Sequence, residues 1–176
     1  MKIRITNKMK EKFKIILTDK NDTDENNNNV ERFESWHANI FTFQRKTGII
    51  MMNDLTRYGV ILFGIKKSDI DNLGELIKAQ LKRNMKSDGF DDLSIQKLIR
   101  STGNISYTKT NDRSILGQIR DNLFALSFYI DPEETLTEEI IQVVNDKIND
   151  TPMRALEKDG FEPWPVSALI KVLKEM

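Results

Sequence analysis

The residues whose types and spacing could do chemistry are few, and most fall in one block, Thr108-Lys109-Thr110-Asn111-Asp112-Arg113-Ser114-Ile115-Leu116-Gly117. An extended segment turns into a helix here. Thr110, Asn111 and Asp112 are all good N-caps. A helix start offers unpaired backbone N–H groups and a positive dipole end. Lys109, Arg113 and Ser114 add side-chain donors, so the block could hold a phosphate or a carboxylate. Asp112 works against this, because its own charge competes for the same donors. The simpler reading is that Asn111 or Asp112 only caps the helix, and Arg113 pairs with a neighbouring acid.

Other candidates are weaker. His37, the one histidine, could act as a general base, with Ser35 or Ser114 near it if the fold allowed. A lone histidine in a strand is more often structural. Asp22, Asp24 and Asn26 have the alternate spacing of a calcium loop, but Asn27 replaces the turn glycine and Phe33 stands where a bidentate Glu is required. Lys78, Lys82 and Lys86, with Arg83 nearby, form a basic stripe that could meet phosphates. It has no interleaved aromatic to stack a base, and a solvated helix face accounts for it better. The phosphate-binding glycine loops and the metalloprotease helix motif are absent. With 0 Cys and 1 His, thiolate metal sites, cysteine nucleophiles and multi-histidine zinc sites within one chain are excluded. No metal and no cofactor are expected.

The elements that must position these residues can be read in order. Lys2-Ile3-Arg4-Ile5-Thr6 alternates as a strand, and Thr6 can cap a short basic helix over 7–13. Residues 19–29 form a polar loop, too polar to pack and expected to be mobile. Three β-like runs follow. The first is Trp36 to Arg45, with Lys46-Thr47-Gly48 as its turn. The second is Ile49 to Asn53, with a turn near Asp54-Leu55-Thr56-Arg57. The third is Tyr58 to Ile65. Connections this short require antiparallel neighbours. The second and third runs are apolar on both faces, so both faces must be covered.

Ser68 to Asp71 resembles a capping box ahead of a helix over 69–86, with Ile70, Leu73, Ile77 and Leu81 inward. A second helix spans Asp92 to Arg100 and stops near Gly103. Ile105 to Thr108 returns as a strand. The next helix runs from Asp112 to Phe128 on Ile115, Ile119, Leu123 and Leu126, and Asp131-Pro132-Glu133-Glu134 ends it. Thr135 to Glu138 has capping-box spacing and opens a helix through Ile141, Val144 and Ile148. Thr151-Pro152 and Trp164-Pro165 both look like helix starts, the last helix turning Val166, Leu169, Ile170 and Leu173 inward. The reading is α+β: one domain over 1–176, with an antiparallel sheet of four or five strands packed with helices and a mainly helical C-terminal half.

Composition sets the bounds. The 27 basic and 27 acidic residues cancel, which argues against a dedicated nucleic-acid wrapper. The balance is uneven: residues 1–20 and 78–120 each carry a local +5, and residues 131–160 carry −6. Such polarity could orient a partner, though a solvated surface needs no function. No apolar run approaches the ~20 residues of a membrane span. The N-terminus has no signal-peptide core, so a cytoplasmic location is expected.

Three segments carry a family resemblance: Trp36-His37-Ala38-Asn39-Ile40-Phe41 with Lys46 and an apolar strand ending in Asn53; Thr110 to Gly117; and Thr151-Pro152-Met153. Together they resemble the bacterial domain-of-unknown-function family 6933. His37 stands where the family pattern has an aromatic, and Gln118-Ile119-Arg120-Asp121 departs from the pattern after Gly117. The resemblance implies no activity, cofactor or partner. The expectation is a non-catalytic binding or interaction domain whose candidate surface is Asn39, Lys109, Asn111, Arg113 and Ser114, recognising an anionic ligand or a protein partner. Nucleic acid is only weakly supported, and no membrane is involved. The alternative is an enzyme acting on a phosphate-containing substrate, such as a nuclease. There Arg113 would stabilise developing charge and His37 or Asp112 would handle the proton.

Overall fold

A computed structural model describes residues 1–18, 28–131 and 133–176. The expected mobile loop and the calcium-like spacing fall almost entirely outside the described residues, as does Pro132. Strands β1 (Lys2–Ile5), β2 (Ser35–Phe43), β3 (Lys46–Asn53), β4 (Gly59–Leu62) and β5 (Ser106–Lys109) form a sheet in the order β4-β3-β2-β1-β5. β2, β3 and β4 are antiparallel, but β1 runs parallel to both β2 and β5. The sheet is therefore mixed, not the antiparallel one expected. The reason is connection length. The hairpins demand antiparallel neighbours, whereas the long stretches before β2 and before β5 are crossovers that return the chain in the same direction.

The helices are α1 (Asn7–Phe13), α2 (Asn29–Glu34), α3 (Leu73–Ser87), α4 (Asp92–Thr102), α5 (Arg113–Tyr129), α6 (Glu138–Asn149), α7 (Ala155–Lys158) and α8 (Pro165–Glu175). Both faces of the sheet are covered by helices. On one face Ile3, Ile5, Trp36, Ala38, Ile49 and Met51 pack against α1, α3, α4 and α8; on the other Ile50, Met52 and Ile61 meet α5 and α6. Among the described residues no helix is long and apolar enough to cross a membrane.

Local chemistry explains most boundaries. Thr6 Oγ1 accepts from Met9 N to cap α1, and Pro165 opens α8. The β2–β3 turn lies at Gln44-Arg45, both with positive φ (48° and 63°), not at Lys46-Thr47-Gly48. A two-residue turn of this hand matches the twist of the strands. Asn28, expected in the loop, caps α2 through Glu31 N, a helix the sequence reading missed. A 3-10 helix over Lys67–Asn72 precedes α3, with Asp69 Oδ2 accepting from Lys66 N, so the box sits two residues before the expected one. Thr137, not Thr135, caps α6. Ile170 is 37% exposed, and Ala168 and Val172 take inward positions on α8 beside Leu169 and Leu173.

The exposed edge of β4 is closed by side chains. Asn149 Oδ1 accepts from Gly59 N at 2.7 Å and its Nδ2 donates to Gly59 O at 3.1 Å. One turn earlier on α6, Asn145 Oδ1 accepts from Ile61 N at 2.7 Å and its Nδ2 donates to Ile61 O at 3.2 Å. These two amides stand in for a sixth strand and satisfy backbone groups that would otherwise be buried unpaired.

Candidate functional site

The polar cluster of the molecule begins in the turn between β3 and β4. Asn53 builds it: its Oδ1 accepts from Leu55 N, Thr56 N and Thr56 Oγ1, and its Nδ2 donates to Phe33 O. Arg57 then takes a left-handed conformation (φ 58°). This turn is buried because α2 covers it, and the burial turns ordinary turn residues into a charge network. Asp54 is its hub. Its Oδ1 lies 2.7 Å from His37 Nδ1 and its Oδ2 lies 3.3 Å from Arg4 Nε. Its carbonyl accepts from Arg57 Nη1 at 2.7 Å and Arg32 Nη2 at 3.3 Å. Burial pushes the Arg57 guanidinium below its ordinary value, with Asp112 and Asp54 acting in the opposite sense.

Sheet register explains how these groups meet. Arg4, His37 and Thr108 are neighbours on β1, β2 and β5, so their side chains share one face. The N-terminus of α5 lies over that face. His37 Nε2 accepts from Asp112 N at 3.3 Å. With Nδ1–H donated to Asp54, both nitrogens are satisfied by one neutral tautomer. Asp112 in turn caps α5, its Oδ1 accepting from Ser114 N at 2.7 Å and Ile115 N at 3.2 Å.

Above this layer lies a cleft of about 490 Å³ lined by Arg4, Glu31, Arg32, Asp54, Asn111, Asp112, Arg113, Ser114, Ile115 and Asp159. Arg32 reaches across it to Asp159 with two hydrogen bonds, at 3.0 and 2.6 Å. Ion pairs thus occupy Arg32 and Arg4. Arg113 is exposed and makes no ion pair or side-chain hydrogen bond among the described residues.

Of the expected surface, Asn111, Arg113 and Ser114 line this cleft, and Asn39 and Lys109 do not. Lys109 pairs with Ile5 on β1, which puts it on the opposite face from Arg4. Asn39 Oδ1 is engaged by Thr6 Oγ1 at 2.9 Å at the start of α1. His37 is 0% exposed and lies beneath the cleft, so it does not open into one pocket with Arg113. Arg4, Glu31, Arg32, Asp54 and Asp159 were not singled out from sequence. Among the described residues, no group of three His, Cys, Asp or Glu is placed to hold a metal ion.

The chain matches, over residues 2–166, the family model described as Domain of unknown function (DUF6933). The chain belongs to this family. No curated protein and no solved structure gives a significant match. The DUF6933 match spans all five strands and α1 to α7, so the residues that build the cleft belong to the family domain itself.

Proposed function

We propose that this DUF6933 domain is a non-catalytic binding module that takes a small phosphate- or carboxylate-bearing ligand in the cleft at the N-terminus of α5. The observation that carries the reading is Arg113: a guanidinium at a polar cleft, beside Ser114, with no carboxylate partner among the described residues. A planar fork of donors suits either anion. Among the described residues the cleft lining contains no aromatic side chain, which favours a small charged ligand over stacked bases. The enclosed His37, with both ring nitrogens engaged, supports binding over proton-transfer chemistry at this site.

A thermal-shift screen of phosphorylated metabolites, carboxylates, nucleotides and short RNA and DNA tests the reading. A stabilising compound is expected to lose its effect in Arg113→Ala. No response from the wild-type chain, or an equal response in Arg113→Ala, rejects the cleft as the site.

A further inference from the structure

We propose that the outward face of α5 is a homodimer contact, covered by the same face of a second copy of this chain with the two helices antiparallel. This contact needs no ligand in the cleft. Inward, α5 buries Ile115, Ile119, Asn122 and Leu126. On its other side Gly117, then Arg120 and Asp121, then Phe124 and Phe128 recur every three or four residues and share one stripe. Phe124 and Phe128 are 69% and 73% exposed. Their rings meet each other edge to face, with centroids 5.3 Å apart. Among the described residues no other element exposes two aromatic side chains. An apolar pair of this size, flanked by charges, marks a contact face.

The order of residues along the stripe says what covers it. In a two-fold pair, whatever residue i touches on the other copy touches i in return. A two-fold axis between Arg120 and Asp121 sets Arg120 of each copy against Asp121 of the other. The same axis sets Phe124, three residues after Asp121, against Gly117, three residues before Arg120. Phe128 then runs on to the first turn of the facing helix. Both matches are complementary. A Cβ at Gly117 would meet nothing within 4 Å, so the facing ring has a notch to enter. Within one chain Arg120 Nε and Asp121 Oδ1 stand 4.0 Å apart and well exposed, a loose contact that leaves both able to turn to the facing copy. Opposite charges across the contact fix its register. A partner of one charge sign would repel either Arg120 or Asp121, whereas a second copy satisfies both. Two rings from each copy bury about 600 Å² in all, at ~150 Å² a ring, against the ~1,600 Å² of a standard stable interface. The dimer is therefore weak and forms with rising concentration.

The test is sedimentation velocity of the full chain from about 1 to about 500 μM. The wild type is expected to pass from monomer to dimer over this range. Phe124→Ser and Gly117→Gln are each expected to weaken dimerisation at least about tenfold; the second fills the notch without touching its own chain. Arg120→Asp alone and Asp121→Arg alone set like charges against each other, and each is expected to weaken dimerisation at least about tenfold. An equimolar mixture of these two variants restores the opposite charges and is expected to sediment as a dimer. Such rescue on mixing separates a facing pair from a general loss of folding. A wild type that stays monomeric throughout overturns the proposal; if that monomer co-sediments with phosphatidylcholine–phosphatidylglycerol vesicles, the face belongs to a lipid surface instead. A dimer unaffected by Phe124→Ser, or charge variants that do not pair on mixing, overturns it equally.

Discussion

Replacing Asp54 by alanine should cost far more stability than its place in a turn suggests. Its side chain is 8% exposed and that of its partner Arg4 is 5% exposed. Removing the carboxylate strands the Arg4 guanidinium and the His37 Nδ1–H in a desolvated layer. Breaking a buried pair from one side costs about 3–5 kcal/mol. In a chain of this size that lowers Tm by roughly 6–20 °C. Asp159→Ala is the control. It breaks a two-bond contact to Arg32, but those side chains are 20% and 26% exposed, and water can replace the lost partner at a cost of about 1 kcal/mol or less. Urea denaturation of the wild type and both variants, with m-values compared, measures the difference. Equal losses in the two variants would refute the reasoning, because the Arg4–Asp54–His37 layer would then be as solvated as the cleft rim.

Three further outcomes follow from the same structure. Asn145→Ala leaves Ile61 N and O without their side-chain partner and removes one acceptor of the Asn84 amide, and should lose about 2–4 kcal/mol in the same assay; a loss under ~0.5 kcal/mol would mean that water satisfies the β4 edge. Burial, with Asp146 and Asp150 adding to it, pushes Asp88 up to about 6, against the Tyr58 hydrogen bond that lowers it. The folded chain then keeps a proton there between about pH 4 and 6 that the unfolded chain has released, so this group's stability is present at acid pH and lost as pH rises through 6. Asp88→Asn should flatten that fall, and an unchanged pH–stability slope over this window would contradict the assignment. Finally, the single histidine makes ¹⁵N imidazole spectra unambiguous: the hydrogen bonds to Asp54 and Asp112 N call for the Nδ1–H tautomer, and an Nε2–H signal would break the link to Asp112 N.

What could be read in the sequence was what local chemistry decides. The Thr6, Asp112 and Pro165 helix starts depend on side chains within one turn. The two-faced apolar runs at Ile49–Met52 and Val60–Leu62 correctly required cover on both faces. The parallel pairing of β1 was hidden, because it joins segments linked through long crossovers. So was the hub at Asp54. Asp54 and Arg57 look like solvated turn residues until α2 covers them. Arg4 read as the wet side of an alternating strand, yet it is 4% exposed, and nothing local marks it. Asn145 and Asn149 were likewise not marked by anything local, because their role depends on β4 lying alongside. Within the candidate site, the helix start at 111–114 was legible from its caps. The floor beneath it was not, since it is assembled from β1, β2, α2 and a turn.

The central claim is that Arg113 is the cation of a ligand cleft. The most direct test is an NMR titration of the Arg113 Nε–H signal with inorganic phosphate, phosphorylated metabolites and small carboxylates. The account predicts a saturable shift at Arg113, accompanied by the amides of Asn111 to Ile115 and absent at the Lys82 and Lys86 positions of α3. An Arg113 signal that stays in place while other surface cations respond would contradict it.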